Sequence, residues 1–164
     1  MIFKFLNKNF YISISIVALI YFLDRLTKIY VIQLDKNNFG SDIFNSAYLN
    51  IVLIWNKGIA FGLLSFNETY LYDILSLIIS IIVVILVVMS LKSHGFKRYS
   101  LLMIIGGALG NLQDRIFFKA VPDFIDLHVN NFHWFIFNVS DIFITFGVIF
   151  LIVLEIITNK KEKL

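Results

Sequence analysis

The sequence predicts a mostly α-helical membrane protein with four transmembrane helices, a small strand structure on the outer face and an external loop. Three observations carry this. Of 164 residues, 59% are hydrophobic and only 15% charged. A soluble domain carries about 25% charged residues and needs polar groups for the surface it leaves unburied. Several apolar stretches are long enough to cross the roughly 30 Å hydrocarbon core of a bilayer. The cationic residues gather at the ends of those stretches. Together these exclude a soluble enzyme. The length allows one domain, and residues 1–164 read as a single membrane domain. Without cysteine there are no disulfides, thiol nucleophiles or Cys-ligated metals. The net charge of +3 forms no clustered basic stripe, so nucleic acid is not expected as a partner.

Residues 10–32 form the first span. Lys4 and Lys8 ahead of it imitate a secretory signal. The apolar run is too long and no Ala-x-Ala-like site follows, so it reads as a retained helix. Residues 71–91 form the second span, without a charge after Asp73. The third, 99–118, is the weakest: its apolar core is short (Leu101–Gly110), and Asn111, Gln113, Asp114 and Arg115 follow. The fourth, 138–157, is apolar up to Glu155 and reaches full length by starting near Asn138.

Charge bias decides the count. Four spans put Lys4, Lys8, Lys92, Lys97, Arg98, Lys160, Lys161 and Lys163 on one side. The opposite side keeps Lys36, Lys57 and Lys119 in loops. By the positive-inside rule both termini are expected in the cytoplasm. Residues 33–70 and 119–137 then lie outside. The run Tyr48–Trp55 is strand-like and is followed by the Gly-bearing stretch 56–62. Residues 119–137 hold Asp123, Asp126, His128, His133 and Trp134, and read as an external loop at the lipid–water boundary.

Five carboxylates crowd the outer end of this topology: Asp24, Asp114, Asp123, Asp126 and Asp141. Ionisable groups near a bilayer pair, line wet cavities or perform chemistry. Asp24 and Lys28 are spaced i,i+4 and read either as a structural ion pair or as part of a site. In Gly106–Arg115, Gly106 and Gly110 form a small-xxx-small pair that lets another helix approach closely. Asn111, Asp114 and Arg115 share a polar face, either as a self-satisfied network or as groups that position a peptide backbone. The only proline, Pro122, stiffens the approach to Asp123. Asn138 is placed to cap the last helix, with Asp141 at N3 facing the positive end of its dipole. There Asp141 is expected to be the more acidic member of any pair.

Two carboxylates held close share a proton, so one can activate water while the other protonates an amide carbonyl. Asp123 and Asp141 are the natural pair, on a loop and at a helix start; the spacing permits a dyad without proving one. Other chemistries fare worse. His128 and His133 carry no HExxH pattern, and His94 lies in the cytoplasmic connection, so no metal site is expected. No GxSxG elbow is present. A Ser–Lys dyad using Lys28 has no evident serine. Two non-peptidase readings stand beside this one. A proton-coupled transporter subunit would place its acids near the bilayer midplane, and a non-catalytic scaffold leaves the outer acids and asparagines unexplained.

The chain resembles the lipoprotein signal peptidases (signal peptidase II), four-helix bacterial membrane aspartic peptidases. Five blocks match in order across 10–158: Asp24-Arg-Leu-Thr-Lys28, Asn56-Lys-Gly-Ile-Ala-Phe-Gly62, Gly106–Arg115, Val121-Pro-Asp-Phe-Ile-Asp126 and Phe137-Asn-Val-Ser-Asp141. The resemblance implies that Asp123 and Asp141 are catalytic. It implies that Asn56, Gly58, Asn111, Arg115 and Asn138 line the site, and that Asp24, Lys28 and Asp114 support it. It further implies a β-cradle after the first helix and a location in the bacterial inner membrane among membrane lipids. The substrate is a diacylglyceryl-modified prolipoprotein cut before its lipidated cysteine. No cofactor is implied, and nothing requires more than a monomer. Three positions depart from the family pattern: Ser140 replaces a common Ala, Pro122 a common Val, and Gln113 an aliphatic residue. Ser140 is small enough to fit and is expected to donate its hydroxyl to a nearby carboxylate.

Overall fold

The computed structural model describes residues 8–38, 43–58 and 69–161. Positions 59–62 of the Gly-bearing motif, Lys4 and Lys163 lie outside the described residues. Four long helices are joined by a three-stranded antiparallel sheet: α1 (Lys8–Asn37), β1 (Leu49–Asn56), α2 (Thr69–Lys92), α3 (Gly95–Phe118), β2 (Val121–Val129), β3 (Phe132–Phe137) and α4 (Val139–Lys161). Each helix contains a stretch long and apolar enough to cross a membrane. Their outward faces carry Ile, Leu, Val, Phe and Tyr, among them Leu26, Ile81, Phe117 and Ile152. A surface this apolar is stable in lipid.

The helix with the weakest hydropathy is the one at the centre. α3 packs against α1, α2 and α4, and 56% of its spanning window is buried, against 11% in each of the others. Its polar residues face helices instead of lipid, which is why hydropathy alone undervalues it. Glycines make the close approaches possible. A Cβ on Gly106 would sit 2.9 Å from Ile20 of α1, and one on Gly107 would sit 2.5 Å from the Ser140 carbonyl of α4. The small-xxx-small pair thus extends to Gly107, and the row holds neighbours on two sides.

Two segments differ from the sequence reading. Residues 33–37 continue α1, ending in Lys36, a cation suited to the negative end of the helix dipole. Residues 121–137, expected as an external loop, form the hairpin β2–β3. The alternating apolar and polar residues of Ile125–Val129 and the β-favouring run Phe132–Phe137 support strands. Val129 pairs with Phe132 across a two-residue turn, where Asn130 takes the left-handed conformation (φ 52°) that Asn tolerates. The sheet order is β1-β2-β3. One extra residue bulges from β1 between Ile51 and Ile54, and β3 carries another opposite Asp126–His128. Pro122 pairs with Trp55 where β2 has β1 but not yet β3 beside it, a position that tolerates a missing N–H. Gln113, the third departure, accepts the hydroxyl of Tyr21, which gives its polar end a partner on α1.

Candidate active site

At one end of the bundle the sheet closes over a continuous buried polar network. It begins on α1, where Asp24 and Lys28 lie one turn apart and make an ion pair of 2.8 Å. The Lys28 ammonium also contacts Asp114 at 2.7 Å and donates to Asn111 Oδ1 at 2.7 Å, both on α3. Arg25 reaches Asp114 at 2.6 Å, a partner that the sequence did not single out. Two cations thus meet two carboxylates; Lys28, Asp24 and Asp114 are fully buried, and Arg25 nearly so. Arrangements of this kind hold only when each charge is paired and hydrogen-bonded. Asp24 also accepts the backbone N–H of Ser140 at 2.9 Å, tying α1 to the start of α4. Gly110 makes room for this: a Cβ there would lie 2.5 Å from the Asp24 carboxylate.

Asn111 passes the network on. Its oxygen accepts from Lys28 while its Nδ2 donates to Asp141 Oδ1 at 2.8 Å. Asp141 sits in the first turn of α4 and forms a capping box with Asn138. Its N–H donates to Asn138 Oδ1 at 3.1 Å, and its Oδ2 accepts the Asn138 N–H at 3.2 Å. The Asn138 side-chain amide is therefore fixed with its nitrogen pointing onward, and donates to Asp123 Oδ1 at 2.6 Å. From β1, Asn56 Nδ2 donates to the other Asp123 oxygen at 2.8 Å. One asparagine thus links the two carboxylates, and each carboxylate has a second amide holding its orientation. Asp123, Asp141 and Asn138 are all buried.

Burial pushes the Asp123 carboxyl up to about 6, the nearby charge of Asp141 adds to the rise, and the Asn56 and Asn138 amides oppose it. Such a group exchanges protons near neutrality, as a general acid or base requires. Beside Asp141 a cavity of about 240 Å³ is lined by Phe137, Ile142, Thr145 and Phe146. An apolar ligand group can therefore lie against a carboxylate there.

Gly58 and Arg115 frame the other side. Gly58 N–H donates to Asn56 Oδ1 at 2.8 Å, while Arg115 donates to the Asn111 carbonyl at 3.2 Å and to the Gly58 carbonyl at 3.4 Å. Tyr72 of α2 was missed in the sequence. Its ring is buried, its hydroxyl has no hydrogen-bond partner among the described residues, and it feels the charges of Arg115, Asp114 and Asp123. A lone tyrosine at a helix start gave no sequence signal. One carboxylate of the outer cluster lies elsewhere, and one expectation needs correction. Asp126 stands apart from the network, paired with His133 and Asn50. The Ser140 hydroxyl is buried without a partner among the described residues, and it is the backbone N–H of Ser140 that serves a carboxylate.

The model of the signal peptidase (SPase) II family matches residues 16–157. A lipoprotein signal peptidase of Pelagibacter ubique is 46% identical over 94% of this chain and 93% of its own. The one from Anaplasma phagocytophilum is 39% identical over 93% and 96%. Among solved structures, a bacterial membrane enzyme at 2.3 Å resolution superposes with a TM-score of 0.73 and 29% identity, covering 93% of this chain and 91% of that one. A second, at 1.9 Å, gives a TM-score of 0.70 and 32% identity, covering 86% and 90%. By family model, relatives and fold, the chain belongs to the signal peptidase II family of membrane aspartic peptidases.

Proposed function

We propose that residues 1–164 act as one membrane endopeptidase. It removes the signal peptide from diacylglyceryl-modified prolipoproteins by cutting before the lipidated cysteine, with Asp123 and Asp141 as the catalytic pair. The observation that carries this reading is the pair of buried carboxylates bridged by Asn138. One carboxylate takes a proton from water, whose oxygen attacks the scissile carbonyl carbon. The other gives its proton to the carbonyl oxygen. The resulting diol collapses with the C–N bond breaking, a proton passing to the leaving amine and the carbonyl reforming. Asp123, held up to about 6, is suited to carry the shared proton before attack.

The remaining residues have supporting roles. Asn56, Asn111 and Asn138 hold the carboxylates. Asp24, Lys28 and Asp114 fix Asn111 and the start of α4, while Gly58 and Arg115 stabilise the turn after β1. A substrate with a hydrophobic signal helix and two acyl chains travels in lipid, which suits the apolar cavity beside Asp141. The bacterial inner membrane is the proposed location. Lys8, Lys92, Lys97 and Arg98 at the helix ends away from the sheet support cytoplasmic termini. Both carboxylates come from one chain, which supports a functional monomer. A proton-coupled transporter finds no support among the relatives.

The test is cleavage of a diacylglyceryl-modified precursor by the detergent-solubilised protein. Asp123→Asn and Asp141→Asn are each expected to lower turnover by at least about a hundredfold while keeping the fold. Cleavage persisting in both folded variants rejects the dyad.

A further inference from the structure

The face of the hairpin turned away from Asp123 carries a second constellation. Asp126 lies three residues beyond Asp123 on β2, and an odd separation along a strand puts it on the opposite face. His128 follows two residues later on the same face as Asp126, and His133 of β3 is its direct cross-strand partner. Asn50 of β1, paired with Asp126, donates to Asp126 Oδ2 at 3.2 Å from the other side. One nitrogen of each histidine and one Asp126 oxygen lie within 4.8 Å of one another. The two imidazoles are stacked with centroids 4.9 Å apart.

The partners differ in a way that points to a ligand. His133 Nδ1 stands 2.9 Å from Asp126 Oδ2 and 3.1 Å from Oδ1. This is the reach of a hydrogen bond and also of two ligands around one ion. His128 is only 8% exposed, and its Nδ1 has no hydrogen-bond partner among the described residues. An imidazole nitrogen buried without a partner has lost hydration that no described residue returns. His133, half exposed, leaves the cluster open to solvent.

We propose that Asp126, His128 and His133 form a binding site for a divalent late first-row transition ion, with Zn²⁺ as the probe. Two imidazoles and one carboxylate are a donor set these ions favour, and a water molecule completes the shell. On binding, the His133 proton resides on Nε2 and the Nδ1 lone pair takes the metal in place of its hydrogen bond to Asp126. Asn50 then orients the ligating carboxylate, as outer-shell donors do at metal sites. The ion cross-links β2 to β3. It stands apart from the Asp123–Asp141 pair and takes no part in hydrolysis, so its test is independent of the peptidase reading.

The experiment uses the full chain in detergent, without a polyhistidine tag and stripped with chelator. It is titrated with Zn²⁺ against a chromophoric indicator, and with Co²⁺ for its visible absorption bands. Wild type and the control His94→Asn are expected to bind one equivalent and to gain thermal stability as Zn²⁺ is added. His133→Asn and His128→Asn are expected to bind at least about tenfold more weakly and to lose both the Co²⁺ bands and the stability gain. Should buried His128→Asn fail to fold, the half-exposed His133→Asn decides the matter alone. Absence of stoichiometric uptake by wild type, or undiminished affinity in folded His133→Asn, overturns the site.

Discussion

Replacing Asp123 by Asn separates the electrostatic cost of the site from its chemistry. The residue is 3% exposed, and its carboxyl is raised from 3.8 to about 6 by burial and by Asp141. Between those two values the folded chain keeps a proton that the unfolded chain releases. The contribution of Asp123 to stability therefore falls as pH rises through that window, and is level below and above it. At about 1.4 kcal/mol per pH unit for one proton, the whole fall is about 3 kcal/mol. An Asn at 123 has no such slope. It does lose an acceptor: Asn56 and Asn138 each donate to one carboxylate oxygen, and an amide has only one oxygen to offer. The donor left facing an NH₂ group costs about 1–2 kcal/mol. The variant is thus expected to be about 1–2 kcal/mol more stable than wild type near pH 8, and less stable by a similar amount near pH 4. Denaturant unfolding of both proteins in detergent at the two pH values measures this. Parallel curves, with the same difference at both pH values, would refute the raised pKa of Asp123 and the proton-holding role built on it.

Other substitutions test the surrounding network. Lys28→Met removes the cation shared by Asp24 and Asp114, and should destabilise by about 3–5 kcal/mol because two carboxylates stay buried with one cation fewer. Thermal unfolding in detergent reads the loss, and an unchanged midpoint would mean that water enters the network. Gly110→Ala sets a Cβ 2.5 Å from Asp24 Oδ2 and 2.6 Å from Ser140 Oγ. The expected cost is about 1–3 kcal/mol of overpacking, with peptidase activity lowered through displacement of α4. Ser140→Ala deletes a buried hydroxyl that has no partner among the described residues. It should therefore be neutral or stabilising by about 1 kcal/mol. A clear loss of stability there would point to a hydrogen bond at Ser140 Oγ.

The sequence by itself determined the membrane class, the four helices and most residues of the polar network, though not Arg25. Apolar run length and the lysines at the run ends are one-dimensional quantities set by bilayer thickness and translocation. The capping relation of Asn138 to Asp141 was equally legible, since a helix start is local and needs only three residues of spacing. What the tertiary structure decided was pairing across long separations. That Asn111 relays between Lys28 and Asp141, or that Arg25 belongs to Asp114, depends on how α1, α3 and α4 rotate about their axes. Glycines at 106, 107 and 110 fix those rotations by contact, and no periodicity encodes them. The hairpin escaped for a related reason: aromatic strands at a membrane boundary have the composition of an interfacial loop, and only pairing with β1 distinguishes the two. The same pairing, acting through the alternation of faces along β2, sends Asp123 to the network and Asp126 to the histidines. Both residues share one six-residue motif, and strand geometry alone assigns them to separate sites.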